Sequence, residues 1–573
     1  MMVSNHKILY ALLTFSLFWV GVCIWVCERA NSIFNPKIIC NYESGFYDEP
    51  IEVKVEVGSN YYVTYTLDGR APNAACTRYE GPIRITDASE NDNVWSMIDE
   101  TSLRYFESDY YMLPNYKVDK CVVLRMAAFD YQGNQVCSDT REYFIGFNEK
   151  TGYKDMYNLC VVTDPENFFD IEKGAYSVGS YFARKIENGA IYEMYSDEYG
   201  WKNEDKVNWA KTGRKNERAA TIELFNPMGQ LVIRERCGAR IRGGESRYSV
   251  QKPLGFYARE EYSGHDRFST LLPLNRGGTI GLKNFIIHNS GDDFEVKLID
   301  FVIYNALLNG KMSFAVSPII PCNLFIDGEY WGPMYLMRDT NCYTIGDDYG
   351  VDAENVVVIK SGDSKVAGDD TELLETENLD EWNKLLEFIR CHDMSDQDNY
   401  EYVCSQIDIE NLVDYAATEI YIANADWHIK NNSAFWRTLK QETGNNYADG
   451  KWRCSLYDVN LSFESEEKMR YEHEQYIHWD LCDMVHDLCK NDEFKKLYLE
   501  KLEELEVLFA PDKVQDIIDE WSSVMEEPIR CHFKRFGIAA DADEMINEEK
   551  KKVLDFCINR PEEMKKVNEW MFR

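Results

Sequence analysis

Positive charge is what this sequence has least of for its size: 62 lysines and arginines stand against 99 aspartates and glutamates, a formal net charge of −37. A surface of that sign repels phosphate backbones and anionic headgroups, so nucleic acid and anionic lipid are excluded as main partners, while basic substrates fit. The 17 cysteines include no CxxC pair, and their scattered spacing gives no zinc signal. Fifteen of them lie from Cys40 onward, an odd number, so complete pairing is impossible even where an oxidising exterior permits disulfides. The HEQYIH phrase with His473 and His478 lacks the HExxH spacing that puts two ligands on one helical face. A cleavage site is also missing. Residues 8–26 form an uncharged, mostly apolar run just long enough to cross a bilayer, yet Cys23, Trp25, Val26 and Cys27 follow where a small-x-small site would stand. The expectation is therefore an uncleaved transmembrane anchor in residues 1–30, in preference to a cleaved signal peptide. With Lys7 inside, the chain is read as a single-pass membrane protein whose bulk is extracellular.

What is present argues for a folded, multidomain chain. At 573 residues, 45% hydrophobic and 14% aromatic, there is material for two or three cores. Residues 36–147 read as all-β: the short runs IEVKVEV, YYVTYTL and CVVLRMAAF are separated by Gly, Pro, Asn and Asp turns, as in a small sandwich, with an acidic, aromatic insertion at 84–120. From about 155 to 573 strands give way to helices. Val296, Ile299, Ile303 and Leu307 form one helical stripe, Trp382, Leu385, Leu386 and Ile389 another, and Pro511 suits a helix start.

The chemistry concentrates in residues 424–463. Aromatic and β-compatible runs at 433–439 and 451–457 flank the turn-rich ETGNNYADG, predicting a β-hairpin. An antiparallel hairpin brings the start of one strand beside the end of the other, so Asp426 and Asn431 should sit near Asp458. Two carboxylates and a carboxamide are poor core material but good ligands for Mg²⁺, which takes oxygen donors together with substrate phosphates. The spacing Asp-x4-Asn, then Asp after a hairpin, is that of kinase-type phosphoryl transfer. A second candidate element is 242–247, Arg-Gly-Gly-Glu-Ser-Arg, a loop suited to close backbone approach to phosphate, with Arg242 and Ser246 as contacts. Lys252 follows it at the start of an expected strand. There a cation for the α and β phosphates is needed, although an exposed sheet lysine would look the same.

Two resemblances extend these readings. SGFYDEPIEVKV, YTLDGRAPN and YEGPIRI, with Tyr65, Thr66, Leu67, Asp68, Gly69 and Pro72, resemble the chitobiase/β-hexosaminidase C-terminal module. That implies an immunoglobulin-like accessory sandwich with a mostly positional role and a possible glycan contact. RIRGGESRYSVQKPLGFYAREEY, NFIIHNSGDD, CNLFIDGEYWGPMYLM, NADWHIKNN and KWRCSLYDVNLSF, in that order, resemble the spore-coat-H (CotH) kinase family. The resemblance implies an α+β atypical protein-kinase-like domain over 155–573, with an N-lobe-like sheet and a helical C-lobe. It further implies Mg-ATP as cofactor, transfer to Ser or Thr of a surface or exported protein, and a substrate that is basic or rich in Ser and Thr. Carried over, Asp426 is the catalytic aspartate, Asn431 and Asp458 are metal ligands, and Lys252 is the phosphate contact. The chain departs from the family where Arg338 and Asp339 stand in place of a common glutamate, and where Ile299 and Asp300 replace an Arg-Asp pair, leaving Glu295 as a candidate partner for Lys252. The alternative from another class is a cell-surface scaffold or carbohydrate-associated adhesin without turnover.

Overall fold

The computed structural model describes residues 36–573 apart from 154, 188–205, 275–280, 361–362, 367–371, 430–431 and 465–479, and the backbone alone at 363–366 and 372–378. The chain is multidomain, sheet-rich in its N-terminal part and helical towards its C-terminus. In the first part β1 (Ile39–Cys40) pairs with β4 (Val55–Glu56), and β3 (Ile51–Val53) with β7 (Ile83–Ile85). A five-stranded sheet runs β2 (Gly45–Tyr47), β9 (Gln135–Ile145), β8 (Val122–Asp130), β5 (Tyr61–Thr66), β6 (Thr77–Arg78). Period-two alternation decides the facing: Ile51 and Val53 point in while Glu52 points out, and Ile83 and Ile85 do the same around Arg84. They meet Leu124, Met126 and Ala128 of the larger sheet in one core.

The next seven strands close into a barrel. Around it run β10 (Tyr157–Thr163), β11 (Arg218–Phe225), β12 (Leu231–Ile241), β13 (Leu254–Tyr257), β14 (Asn284–His288), β16 (Glu329–Met337) and β15 (Ile320–Ile326). Alternation predicts a sheet here but says nothing of closure; β15 returns parallel to β10, and that pairing removes both edges. A separate antiparallel sheet, β18 (Asp363–Val366), β17 (Val356–Lys360), β19 (Ala434–Thr438), β20 (Arg453–Ser455), contains the expected hairpin as β19 and β20. Beneath it lies the helix Ile409–Tyr421, buried throughout except for its first two residues. The helices Leu481–Leu488, Asp492–Leu508, Pro511–Arg535 and Ala542–Met571 complete the C-terminal part, and their apolar faces join the barrel's interior in one continuous core. Pro511 does start a helix, at a position whose missing N–H costs no hydrogen bond.

The membrane expectation is corrected. The run at 8–26 lies outside the described residues, and among the described residues no helix is long and apolar enough to cross a membrane. A span needs about 20 predominantly apolar residues. The long helices Pro511–Arg535 and Ala542–Met571 instead bury one stripe (Trp521, Met525 and Ile529 in the first) and carry many Asp, Glu and Lys side chains elsewhere. The transmembrane helix, the membrane partner and the single-pass extracellular placement that rested on that run are accordingly withdrawn. All fifteen described cysteines carry free thiols.

Where the first sheet meets the barrel, Glu142 of β9 and Glu223 of β11 are both fully buried. Glu223 accepts from the Ser44 hydroxyl at 2.9 Å and from the Arg234 guanidinium. Burial, then the Glu223 carboxylate and the Cys121 thiol, push the Glu142 carboxyl well above its ordinary value, against the pull of Arg234. The folded chain thus holds a proton that the unfolded chain releases, and this contribution to stability is present at acid pH and lost as pH rises. Glu142→Gln stays neutral throughout. Relative to the parent its melting temperature should gain with pH between 5 and 8, by about 2–4 °C in all. A difference that stays constant across that range would show that Glu142 is already ionised.

Candidate active site

Six segments converge on one cavity. Strand β12 ends at Ile241, and the chain turns through Arg242, Gly243 and Gly244 into a 3₁₀ turn, Glu245–Tyr248, before re-entering the barrel as β13. Gly243 sits at φ +92°, and a Cβ there would fall 2.1 Å from the Ser246 hydroxyl, so only glycine fits. Arg242, Gly243, Gly244 and Ser246 line the cavity.

Opposite, β16 runs out into Arg338 and Asp339, and β17 ends at Lys360. Asp339 accepts from Arg242 Nη2 at 2.6 Å and from Lys360 Nζ at 3.1 Å. Burial opposes its ionisation, but these two cations outweigh that and hold its carboxyl well below the usual carboxylate range. The Lys360 ammonium also lies 4.0 Å over the Tyr457 ring. The departure from the family pattern at Arg338 and Asp339 therefore leaves an anion beside Lys360.

The acidic side of the cavity is built after the helix Ile409–Tyr421. Asp408 caps that helix and also accepts from Arg453 of β20, tying helix to hairpin. Beyond the helix Ala423 adopts φ +52°, Phe463 N–H donates to Ile422 O at 2.8 Å, and Ala425 N–H donates to Leu461 O at 2.9 Å. These bonds lay the Asp426 loop alongside the segment that follows β20. Asp480 pins the loop from outside, accepting from the Ile429 N–H at 2.8 Å and contacting His428 Nδ1. Asn432 donates to Asp426 Oδ2, and Asn460 donates to Asp458 Oδ1 at 2.6 Å. Asp458 itself has φ +57°. Its carboxyl is pushed up to about 6 by burial and then by the Asp292 and Asp426 carboxylates, with Lys360 and Asn460 pulling the other way. Asp300, on the helix Ile299–Leu308, is pushed up to about 8 by burial and by Asp458 and Asp292.

Among the described residues no three His, Cys, Asp or Glu side chains are drawn into one metal-holding group. The donor set nevertheless suits Mg²⁺, which is commonly held by one or two carboxylates with phosphates supplying further oxygens. A divalent cation would also relieve the repulsion that raises Asp458. On the far side of 337–340 a second hollow of mixed polarity is lined by Pro318, Ile319, Ile345 and Leu456 together with Arg338, Asp339 and Asp348.

Set against the sequence expectations, Asp426 and Asp458 come together, and Arg242 and Ser246 reach the same cavity. Asn431 lies outside the described residues. Lys252 is fully buried away from the cavity lining. Its ammonium donates to the carbonyls of Arg247 at 2.7 Å and Ser249 at 2.8 Å, and it sits 4.0 Å over the Trp209 ring. Burial, then Arg104, push it well below the usual lysine range. Glu295 accepts from the Tyr111 hydroxyl at 2.8 Å. The sequence reading missed Lys360, Asp292 and Asn460. Asn460 stands in the DVN phrase two residues after Asp458, and Lys360 closes the apolar run VVVIK, a place where a polar end-residue was a usable signal.

Two comparisons bear on these observations. The profile of a family described as CotH kinase protein matches residues 239–564, more than half of the chain, from the end of β12 to the last helix. No curated protein matches the chain.

Proposed function

Because the chain belongs to the CotH kinase protein family, we propose that it transfers the terminal phosphate of Mg-ATP to serine or threonine hydroxyls of a protein substrate. The observation that carries this reading is that Asp458 lines the cavity edged by Arg242, the Gly243–Gly244 turn and Lys360, with the Asp426 carboxylate near enough to act on it. In the proposed division of labour Asp426 orients the acceptor hydroxyl and takes its proton, as a carboxylate within hydrogen-bond reach of that oxygen can do. Asp458 and Asn431 would hold magnesium, whose bound charge offsets that of the ATP phosphates. The backbone of the glycine turn and Ser246 face the phosphates. Lys360 takes the cationic role first sought at Lys252, since its ammonium borders the cavity and Asp339 keeps it charged there. In the hollow beyond 337–340, Pro318, Ile319, Ile345 and Leu456 would offer the apolar contacts a purine base needs.

Within this reading residues 155–573 form the kinase unit. Residues 36–147 form an immunoglobulin-like module akin to the chitobiase/β-hexosaminidase C-terminal type, positional in role, with glycan contact as a secondary use. The net charge of −37 favours a basic, Ser/Thr-rich acceptor. The test is transfer of labelled phosphate from Mg-ATP to a basic Ser/Thr peptide by the purified full chain. Transfer that depends on Mg²⁺ supports the reading; nucleotide binding without any transfer, or no binding, favours the scaffold alternative.

A further inference from the structure

The glycine turn does not hold its own shape. Its internal backbone bonds are long, Arg247 N–H to Gly244 O at 3.4 Å and Ser249 N–H to Ser246 O at 3.3 Å, and two adjacent glycines leave the backbone permissive. What fixes it comes from elsewhere. Lys252 ties it from the barrel side, and from the outside it is met by the insertion between β7 and β8. There the buried Ser102 hydroxyl donates to Tyr248 O at 2.9 Å, and the Arg104 guanidinium stacks 4.5 Å over the Tyr248 ring.

The same insertion is clamped at points far apart in sequence. The N–H groups of Val94 and Ser96 donate to the Glu329 carboxylate at 2.6 and 2.7 Å. Met112 N–H donates to Phe536 O, and Ala539 N–H to Tyr110 O, each at 2.9 Å. Between these anchors Tyr111 donates to Glu295 and sets its ring edge-on to Phe294. Phe294 and Glu295 closely follow Asp292, whose carboxylate bears on Asp458. One segment thus grips both the phosphate-facing turn and the stretch beside the acidic cluster. It lies wholly outside the residues that the family profile matches.

We infer that residues 102–111 are a positioning strap, through which the N-terminal module sets the geometry of the Gly243–Tyr248 turn and hence the affinity of the cavity for a nucleoside triphosphate. Ser102 and Arg104 act through Tyr248 and touch no substrate. This rests on the phosphotransfer reading only for its nucleotide arm.

The test uses the full chain carrying Ser102→Ala with Arg104→Ala. Arg104→Ala alone is a second, milder variant, since that side chain is 40% exposed, and its melting temperature is read to account for the lost pair with Glu107. Amide exchange of 243–249 should quicken by about tenfold or more, and KM for Mg-ATP should rise about tenfold with kcat changed far less, since the double variant removes one hydrogen bond and one cation–π interaction from the turn. Arg104→Lys, which restores a cation over the ring, should recover most of the affinity. Unchanged exchange in 243–249 overturns the inference. So does faster exchange with unchanged KM, which would leave the strap a structural brace only. If the parent binds no Mg-nucleotide, the phosphotransfer reading fails by itself, and the exchange arm alone then decides whether the strap holds the turn.

Discussion

Asp458→Asn should weaken Mg-dependent nucleotide binding by about a hundredfold or more, whereas Asp426→Asn should leave binding nearly intact and lower phosphate transfer by about 10²–10⁴-fold. The two aspartates stand close enough to raise one carboxyl through the other, yet the proposed reading gives them different work. Asp458 lines the cavity with Lys360 and Asn460, at the edge proposed for the phosphates. Asp426 lies on the loop pinned by Asp480, where an acceptor side chain would enter. Asparagine is the right replacement at 458 because the residue has φ +57°, a conformation asparagine tolerates and alanine does not, so an alanine variant would mix strain of about 1–2 kcal/mol with lost function. Asn at 426 is nearly isosteric and keeps the contact with Asn432. Calorimetric titration of Mg-ATP and single-turnover transfer read the two effects separately. Equal losses of binding in both variants would mean that the two carboxylates form a single metal site and that the acceptor base lies elsewhere.

Lys360→Met should cost about a hundredfold or more in transfer with little change in melting, because it removes a cation bordering the phosphates and leaves Asp339 still paired with Arg242. Lys252→Met should do the reverse. Among the described residues its ammonium meets two carbonyls and the faces of Trp209 and Tyr176 and no carboxylate, so replacing it strands two buried acceptors at about 1–3 kcal/mol each and lowers the melting temperature first. Any loss of activity would follow from slackening of the glycine turn and should appear in KM more than in kcat. If Lys252→Met melts like the parent and loses transfer while Lys360→Met keeps it, the cationic role returns to Lys252.

These two lysines show why the sequence told only part of the site. The β19–β20 hairpin was legible because turn residues and β-compatible runs are local signals, and the hairpin alone predicts that Asp426 and Asp458 meet. The helix at Pro511 and the helix Ile299–Leu308 were legible for the same reason, though the second is buried nearly all round rather than along one stripe. A lysine near a strand start is not a local matter. Whether Lys252 turns inward to the Arg247 and Ser249 carbonyls, or outward to phosphate, depends on Trp209 and Tyr176, distant residues that pack against it. Asp339 could be noted as a departure, but its pairing joins it to Arg242, 97 residues before it, and to Lys360, 21 residues after it. Closure of the barrel is the same problem on a larger scale, since the β10–β15 pairing spans more than a hundred and fifty residues and alternation gives a strand's faces without its neighbours. The apolar run at 8–26 read clearly as a span by length and composition, and nothing among the described residues supports it.

The most direct measurement is calorimetric titration of ATP into the purified full chain, once with Mg²⁺ and once with a chelator. A kinase site built on Asp458 predicts saturable binding at one site with Mg²⁺, lost with the chelator and lost again in Asp458→Asn with Mg²⁺ present. Binding that is indifferent to Mg²⁺ and to Asp458, or no binding at all, would contradict it.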